Sequence, residues 1–504
     1  MAKIDPKTNI VSSSVPYVPF PNEPIAKFLH DRFEAVIKDD PNRVAFIEME
    51  NNKQQLTYQQ LQHQAEAFAC GLAKLGITKN DKVELFGMNS NELLTSLIDC
   101  DQKQQSTNIE KDRYGNQYHV ITLADLIAIG NERKFNSIPL YPFNDLAEDP
   151  LLIVLTSGTT GSPKGVVHTN CSLGTNMISL ERILLKLTYL CQWFSIAHCS
   201  GLIQFLYGMM VTCTMLFHTK CDMDTLFATA EQYKLTTFSV PPHHALKLLD
   251  IDYREKYDLN SLKIIVQTGM ALHGSLIKRI CERYNFHWVE LYGATETIVP
   301  LTNYDRSLYR MGYYSIGNLG SLQPSWQLKI IDIDNGKVLP PNHVGELCLR
   351  GPGLFHSYWN NPIETDSVID HERWYFTKDI CHVNNEGCVF ITDRVKELIK
   401  FQSHSIIPAQ IERFLAENDA IEKVCVVGVP HPVDVNWLRA YVQLKPNSTV
   451  TEEELIKLVE DNLADQKRLR AGVKFVDEMV VSIIGKIDRN HYKKLAQNDS
   501  FITK

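Results

Sequence analysis

The chain has no cluster of lysines and arginines, no Cys-x-x-C pair, no internal repeat and no low-complexity block. Each absence removes a class of function. Lys and Arg total 51 against 59 Asp and Glu, for a net charge of −8, and mild acidity without a basic patch argues against nucleic acid as a main partner. The twelve cysteines are scattered and no apolar signal region opens the sequence, so free thiols in a reduced intracellular compartment are expected. The longest nearly charge-free apolar stretch, 201–217, is interrupted by Gln204, Gly208, Thr212 and Thr214. It falls short of a bilayer-spanning helix and reads as a buried helix running into a strand. The final Phe501-Ile502-Thr503-Lys504 lacks a Ser-Lys-Leu peroxisomal address, which leaves the cytoplasm as the expected location.

What is present is enough material for a large core. At 504 residues and 44% hydrophobic content, the chain should divide into more than one domain. Residues 1–22, with Pro6, Pro16, Pro19 and Pro21, read as a flexible arm, and folded structure is expected from about Pro24. Phe28, Leu29, Phe33, Val36 and Ile37 share one side of a first helix, and Thr57-Tyr58-Gln59-Gln60 is a capping-box pattern that opens a second. Strand-like runs at 44–47, 82–86, 151–155, 236–240 and 263–266 alternate with helical stretches. Alternation of this kind implies a layered α/β domain with mainly parallel sheets and ligands at the carboxyl ends of strands.

Directly after the apolar run 151–155 comes Thr156-Ser157-Gly158-Thr159-Thr160-Gly161-Ser162-Pro163-Lys164-Gly165. Glycines allow close backbone approach, hydroxyls donate hydrogen bonds to phosphate oxygens, and Lys164 adds a mobile positive charge, so the segment reads as a phosphate-gripping loop at the end of a buried strand. It is not a Walker A loop, because two residues rather than four separate Gly158 from Gly161 and Lys164 is followed by Gly165.

This segment resembles the signature of the adenylate-forming superfamily, which contains acyl-CoA synthetases, 4-coumarate–CoA ligases and beetle-type luciferases. Other motifs of that superfamily follow in order: Thr268-Gly269-Met270-Ala271-Leu272, Tyr292-Gly293-Ala294-Thr295-Glu296-Thr297, Gly345-Glu346-Leu347, Tyr358-Trp359-Asn360-Asn361-Pro362, Thr377-Lys378-Asp379, Asp393-Arg394-Val395-Lys396 and Gly485-Lys486-Ile487. The resemblance implies an N-terminal AMP-binding domain over 23–393, joined by a hinge at 393–396 to a small mobile α+β domain over 394–504. It implies that ATP and Mg²⁺ activate a carboxylic acid and that coenzyme A then displaces AMP.

The same resemblance assigns roles to residues. Lys486, Thr295, Glu296 and His198 become the catalytic set, with Glu296 holding Mg²⁺ and Lys486 bridging carboxylate and phosphate. Thr156, Ser157, Gly158, Thr159, Thr160, Gly161 and Lys164 become phosphate ligands. Gly269, Met270, Ala271, Tyr292 and Gly293 would border the adenine, Asp379 and Arg394 the ribose, and Lys396 and Lys400 complete the binding set. Taken alone, Glu296 reads as a helix N-terminal acid, Asp379 as a turn residue and Lys486 as a surface lysine. His198 reads equally as a buried, satisfied histidine or as a wall of the acyl pocket.

Three departures from the pattern stand out. After Leu97-Ile98-Asp99 a polar stretch leads directly to Tyr118-His119-Val120-Ile121, so some of the usual N-terminal domain near 100–117 is expected to be missing. Ser403 and Lys378 each stand where the pattern has glycine. A non-catalytic nucleotide-binding descendant and a luciferase-like oxygenase therefore remain as alternatives to an acid–thiol ligase acting on an aryl-propenoic or a medium- or long-chain fatty acid.

Overall fold

Helix and strand pairing in this chain follow from where the connections are helical and where they are tight turns. The computed structural model describes residues 2–15, 19–20, 23–50, 53–75, 108–111, 117–120, 123–131, 145–156, 163–183, 187–196, 198–218, 222–240, 242–245, 247–268, 274–303, 318–394, 397–402, 404–480 and 487–498. The strand expected at 82–86 and most of the polar stretch 100–116 lie outside these residues. None of the described helices is long and apolar enough to cross a membrane.

The first helix, Ile25–Asp39, buries Ile25 and Phe33, and Phe28, Leu29, Val36 and Ile37 pack around the same core as Leu173 and Met177. The second, Tyr58–Lys74, carries the expected capping box: Gln60 N–H donates to Thr57 Oγ1 at 3.2 Å, and Thr57 N–H donates to Gln60 Oε1 at 2.9 Å. The apolar stretch 201–217 forms the helix Cys199–Met210 followed by the strand Thr214–Phe217, as its composition implied.

Strands Val44–Glu48, Thr214–Phe217 and Tyr189–Gln192 pair in parallel. So do Thr237–Val240, Ile264–Thr268 and His287–Tyr292, the last two joined through the helix Gly274–Tyr284. This confirms the layered α/β class. The second parallel set continues into an 11-stranded sheet whose other pairs, from 287–292 onward, are antiparallel. Between 318 and 394 the strands follow one another without long helical crossovers, and only such crossovers can return a chain to run parallel.

Two expectations are corrected. Residues 1–22 do not behave as a loose arm throughout: Lys3–Ile4 and Val11–Ser12 pair with each other, and Val11 and Ser12 add to the edge strand Gln327–Ile331. Val11 is fully buried, and the open edge of a sheet supplies the backbone partners that the proline-rich composition did not reveal. The run 151–155 is a strand, Pro150–Leu155, but it pairs antiparallel with Gly165–Thr169, and Leu151 and Leu155 are exposed while Val154 is buried. It is one half of a hairpin rather than a buried parallel strand.

The C-terminal part has its own α+β core. Ile421–His431 and Val435–Leu444 pair antiparallel, Val473–Phe475 adds in parallel, and Ile411, Leu415, Val426, Leu438, Leu455 and Val459 fill the layer beneath the helices Pro408–Ala416 and Glu452–Asn462.

On the far side of the polar stretch, the helix Leu123–Asn131 lies against Tyr58–Lys74 through two glycines. A Cβ on Gly130 would stand 1.8 Å from Ala67 O, and one on Gly71 would stand 2.2 Å from Leu126 O. Both obstacles are backbone, so a side chain at either place must push the helices apart. Gly130→Ala is expected to lower the unfolding free energy by about 1–3 kcal/mol in urea melts; an unchanged midpoint would mean that these helices do not touch in this way.

Candidate functional site

The segment read as a phosphate-gripping loop is framed by a hairpin. Thr156 N–H donates to Lys164 O at 2.9 Å, closing the loop between Pro150–Leu155 and Gly165–Thr169. Ser157, Gly158, Thr159, Thr160 and Gly161 lie outside the described residues. The exit strand Gly165–Thr169 is bonded on its other side by the short strand Ser357–Tyr358, with Trp359 N–H donating to Gly165 O at 2.7 Å and His356 N–H to Val167 O at 2.9 Å. The Tyr358 motif is thus fixed directly to the loop that carries Lys164.

The second part of the site is the turn after His287–Tyr292. Thr297 and Ile298 N–H groups both donate back to Ala294 O, and Thr297 Oγ1 accepts from Ala294 N–H at 3.1 Å, so 294–298 forms a single tight turn presenting Thr295 and Glu296. Gly293 is needed for close approach, since a Cβ there would meet Ile298 O at 1.6 Å. Ile298 itself sits at φ +59°, a left-handed conformation that a β-branched residue adopts only under strain. Such strain concentrates where a turn must aim functional side chains.

Two residues that sequence reasoning missed tie this turn to the phosphate strand. His168 is 1% exposed; its Nε2–H donates to Thr295 O at 2.8 Å and its Nδ1 faces Ser172 Oγ at 3.2 Å. Tyr358 OH donates to Glu296 Oε1 at 2.6 Å, while Phe355 N–H donates to Glu296 O at 2.8 Å. Burial and the Glu296 charge push the Tyr358 phenol well above its ordinary range, so it remains a donor. The only sequence signal for His168 was an imidazole inside the apolar strand Gly165-Val166-Val167-His168.

Lys164 Nζ forms an ion pair with Glu364 and stands 5.2 Å from the centre of the Tyr358 ring. Glu296, Tyr358, Lys164 and Glu364 therefore form one continuous charged and aromatic row. Burial, aided by the Glu296 charge, pushes the thiol of Cys199 up to about 12, which favours its protonated form. Among the described residues no group of three His, Cys, Asp or Glu side chains could enclose a metal. Glu296, with Oε1 occupied by Tyr358, offers a single carboxylate, which suits Mg²⁺ because that ion keeps several waters and takes substrate phosphates as its other ligands.

The third part is a tyrosine–aspartate pair. Tyr292 OH donates to Asp379 Oδ2 at 2.7 Å, and Asp379, 6% exposed, faces Arg394 across the antiparallel pair 375–383/389–394. The turn that aims Asp379 is a bulge: Thr377 Oγ1 donates to Leu347 O at 2.8 Å and accepts from Asp379 N–H at 3.1 Å, and Lys378 N–H donates to Glu346 Oε1 at 3.0 Å. Lys378 points outward, yet its φ is +60°, the conformation that glycine adopts without a Cβ penalty.

The remaining assigned residues divide. His198 is exposed and caps the helix Cys199–Met210, its Nδ1 accepting from Ser200 N–H at 3.2 Å; the reading of it as a buried histidine is corrected, because a helix start needs an acceptor for its free N–H groups. Lys400 lies in the hairpin Ile399–Phe401/His404–Ile406, paired with Ser405 and 3.7 Å from Asp334. Gly269, Met270, Ala271, Lys396, Ser403 and Lys486 lie outside the described residues.

Two outcomes follow. Lys378→Gly should raise the unfolding free energy by about 0.5–1 kcal/mol, the left-handed penalty less the extra entropy glycine loses, read from paired denaturant curves. Burial pushes His168 down to about 4 against an ordinary 6.5, with the Thr295 carbonyl opposing the shift. The unfolded chain then binds a proton between those values that the native state refuses, so the stability is complete above pH 6.5 and is lost as pH falls toward 4, by on the order of 3 kcal/mol. The difference between wild type and His168→Gln in urea melts should shift in that direction from pH 7 to pH 4.5; parallel profiles would contradict a buried neutral imidazole.

The chain is similar to several known proteins. A luciferin 4-monooxygenase of Nipponoluciola cruciata is 33% identical over 356 residues, 68% of this chain and 63% of that protein. The 4-coumarate–CoA ligase-like protein 4 of Oryza sativa subsp. japonica is 29% identical over 358 residues, 69% of this chain and 63% of that protein. The matched part thus spans less than two thirds of these relatives' length. Among solved structures, a fatty acyl CoA synthetase of Mycobacterium tuberculosis has a TM-score of 0.70 at 20% identity, covering 95% of this chain and 99% of its own. ATP-bound MatB from Rhodopseudomonas palustris has a TM-score of 0.68 at 20% identity over 94% and 99% of the two chains; both share the fold. The model of the AMP-binding enzyme family matches residues 33–100 and 97–359, in two pieces that meet beside the polar stretch, and the model of the AMP-binding enzyme C-terminal domain matches 410–486. With matches that cover most of its length in the order the motifs require, the chain belongs to the AMP-binding enzyme family of the adenylate-forming superfamily.

Proposed function

We propose that this protein is an ATP-dependent acid–thiol ligase that converts a carboxylic acid to an acyl-adenylate and passes the acyl group to coenzyme A. The observation that carries the reading is that His168 and Tyr358 tie the Lys164 strand to the Glu296 turn, while Tyr292, hydrogen-bonded to Asp379, stands on the strand that leads into that same turn. Activation brings a carboxylate against a polyphosphate, so a site for it must neutralise charge and hold the two reactants in line. Lys164 and the loop 156–164 bind phosphate oxygens. Glu296 holds Mg²⁺, which when bound neutralises phosphate charge. Tyr292 lies along the adenine with the 269–271 turn, and Asp379 accepts the ribose hydroxyls beside Arg394.

Lys486 reaches the reacting carboxylate and phosphate from the C-terminal domain. The hinge at 393–396 then lets that domain present the Lys400 hairpin for thioester formation. Segments 198–201, 241–244 and 292–294 wall the acyl pocket, and their mixture of imidazole, aromatic and small side chains suits an aryl-propenoic or a medium- or long-chain fatty acid. A cytoplasmic setting is consistent with this chemistry. The luciferin 4-monooxygenase relatives favour a second outcome of the same adenylation, in which the acyl-adenylate passes to oxygen; light emission with a luciferin would identify it.

The test is ATP–pyrophosphate exchange across a panel of carboxylic acids. Exchange should depend on both acid and Mg²⁺ and should fall about 10²-fold or more in Lys486→Ala, the usual loss when a charge-stabilising group aimed at the transition state is removed. A folded wild-type protein that binds ATP but exchanges with no acid would instead be a nucleotide-binding scaffold.

A further inference from the structure

Lys164 is the one cation that the phosphate loop brings to its described exit, and it does not project freely. Its ammonium is paired with Glu364 and lies 5.2 Å from the centre of the Tyr358 ring. Glu364 is held where it can do this: it follows Pro362 in the helix Pro362–Val368, and its own N–H donates to Asn361 Oδ1 at 3.2 Å. Tyr358 N–H donates to Thr365 Oγ1 at 3.0 Å, which ties that helix back to the strand beneath Lys164. The Lys164 and Glu364 side chains are 27% and 30% exposed, so an incoming anion can reach the pair.

Lys164 therefore already has an anionic partner at the position from which it would serve a phosphate. A lysine that must neutralise a polyphosphate gains nothing from a permanent carboxylate, because the two anions compete for one ammonium and repel each other across it. The carboxylate does fix the side chain while the site is empty, which lowers the entropy that ordering a long lysine would otherwise cost.

We propose that Glu364 is a built-in placeholder for a nucleotide polyphosphate: it holds Lys164 in position over Tyr358 until the β- and γ-phosphates of ATP displace it. Glu364 is a positioning residue in this account and touches no reacting atom. The proposal rests on the ATP-site reading above and adds a competition within it. Tyr358 serves both ends of the row, its ring beneath Lys164 and its hydroxyl on Glu296, so displacement of Glu364 leaves the ammonium located and the metal-binding carboxylate unmoved.

The experiment compares ATP and adenosine binding, each with Mg²⁺ and without acid, by titration calorimetry for wild type, Glu364→Gln and Glu364→Ala. A partly exposed ion pair of this kind is worth little, so removing the competing carboxylate should tighten ATP by about two- to fivefold in both variants. Adenosine, which has no phosphate to compete, should bind all three proteins equally, and a thermal melt of each reports that the fold is retained. Unchanged or weaker ATP binding in the variants overturns the placeholder, as does an equal gain for adenosine. Wild type that binds adenosine but not ATP, or neither, overturns the ATP-site reading itself and the placeholder with it, so the two failures are distinguishable.

Discussion

The site depends on one buried hydrogen bond, from His168 Nε2–H to the carbonyl of Thr295. It joins the strand that leaves the phosphate loop to the turn that carries Glu296, two segments belonging to different sheets. A neutral imidazole suits this place. It donates at one nitrogen and accepts at the other, and burial keeps it from taking a second proton. A lysine here would bring a charge into the core, and an aliphatic residue would leave the Thr295 carbonyl with one bond fewer. From this junction the frame extends outward, through Phe355 N–H on the Glu296 carbonyl and Tyr358 OH on its carboxylate, to Lys164.

That frame also explains how the charges are arranged. Glu296 and Glu364 are both acids near the place where the proposed reading puts phosphate, and bare repulsion would oppose binding there. Each is handled differently. Glu296 is buried against a phenol that remains protonated, which leaves its carboxylate suited to a divalent cation. Glu364 is partly exposed, and its carboxyl is held below the ordinary range by Lys164. It can therefore give up its partner at small cost.

The sequence revealed the fold wherever a local pattern fixed the local structure. The capping box at Thr57, the helical face of Phe28, Leu29, Phe33, Val36 and Ile37, and the helix-to-strand reading of 201–217 are all local, and all are seen. Ordered motifs singled out Lys164, Glu296, Tyr292 and Asp379, which the structure links through Tyr358 and through the Tyr292–Asp379 hydrogen bond. Pairing partners were not legible. Nothing within Pro150–Leu155 says whether its neighbour runs parallel or antiparallel, and nothing within Val11–Ser12 says that an open edge awaits it 315 residues downstream. His168 and Tyr358 went unassigned for the same reason, since each bonds a partner distant in sequence. His198 was ambiguous because a buried, satisfied histidine and a pocket wall both call for an imidazole beside an apolar helix, and neither its exposure nor its cap on Ser200 N–H was readable.

Two turns carry the carboxylates of the candidate site, and both place a non-glycine residue in left-handed backbone: Ile298 at φ +59° beyond Glu296, and Lys378 at φ +60° before Asp379. Neither conformation is favourable by itself, at roughly 1–2 kcal/mol each for an L-residue, so each must be imposed by its surroundings. At Lys378 the bonds of Thr377, Glu346 and Asp379 fix the bulge while the side chain points to solvent, and glycine would serve better. At Ile298 the side chain is 5% exposed and packs in the same core as Tyr207 and Met209. Glycine there would relieve the backbone but leave a cavity, and losing a buried aliphatic side chain typically costs more than the strain it removes. The same backbone outlier thus has opposite consequences at the two turns: at 378 it is an avoidable cost, whereas at 298 it is the means by which the core holds Thr295 and Glu296 in place.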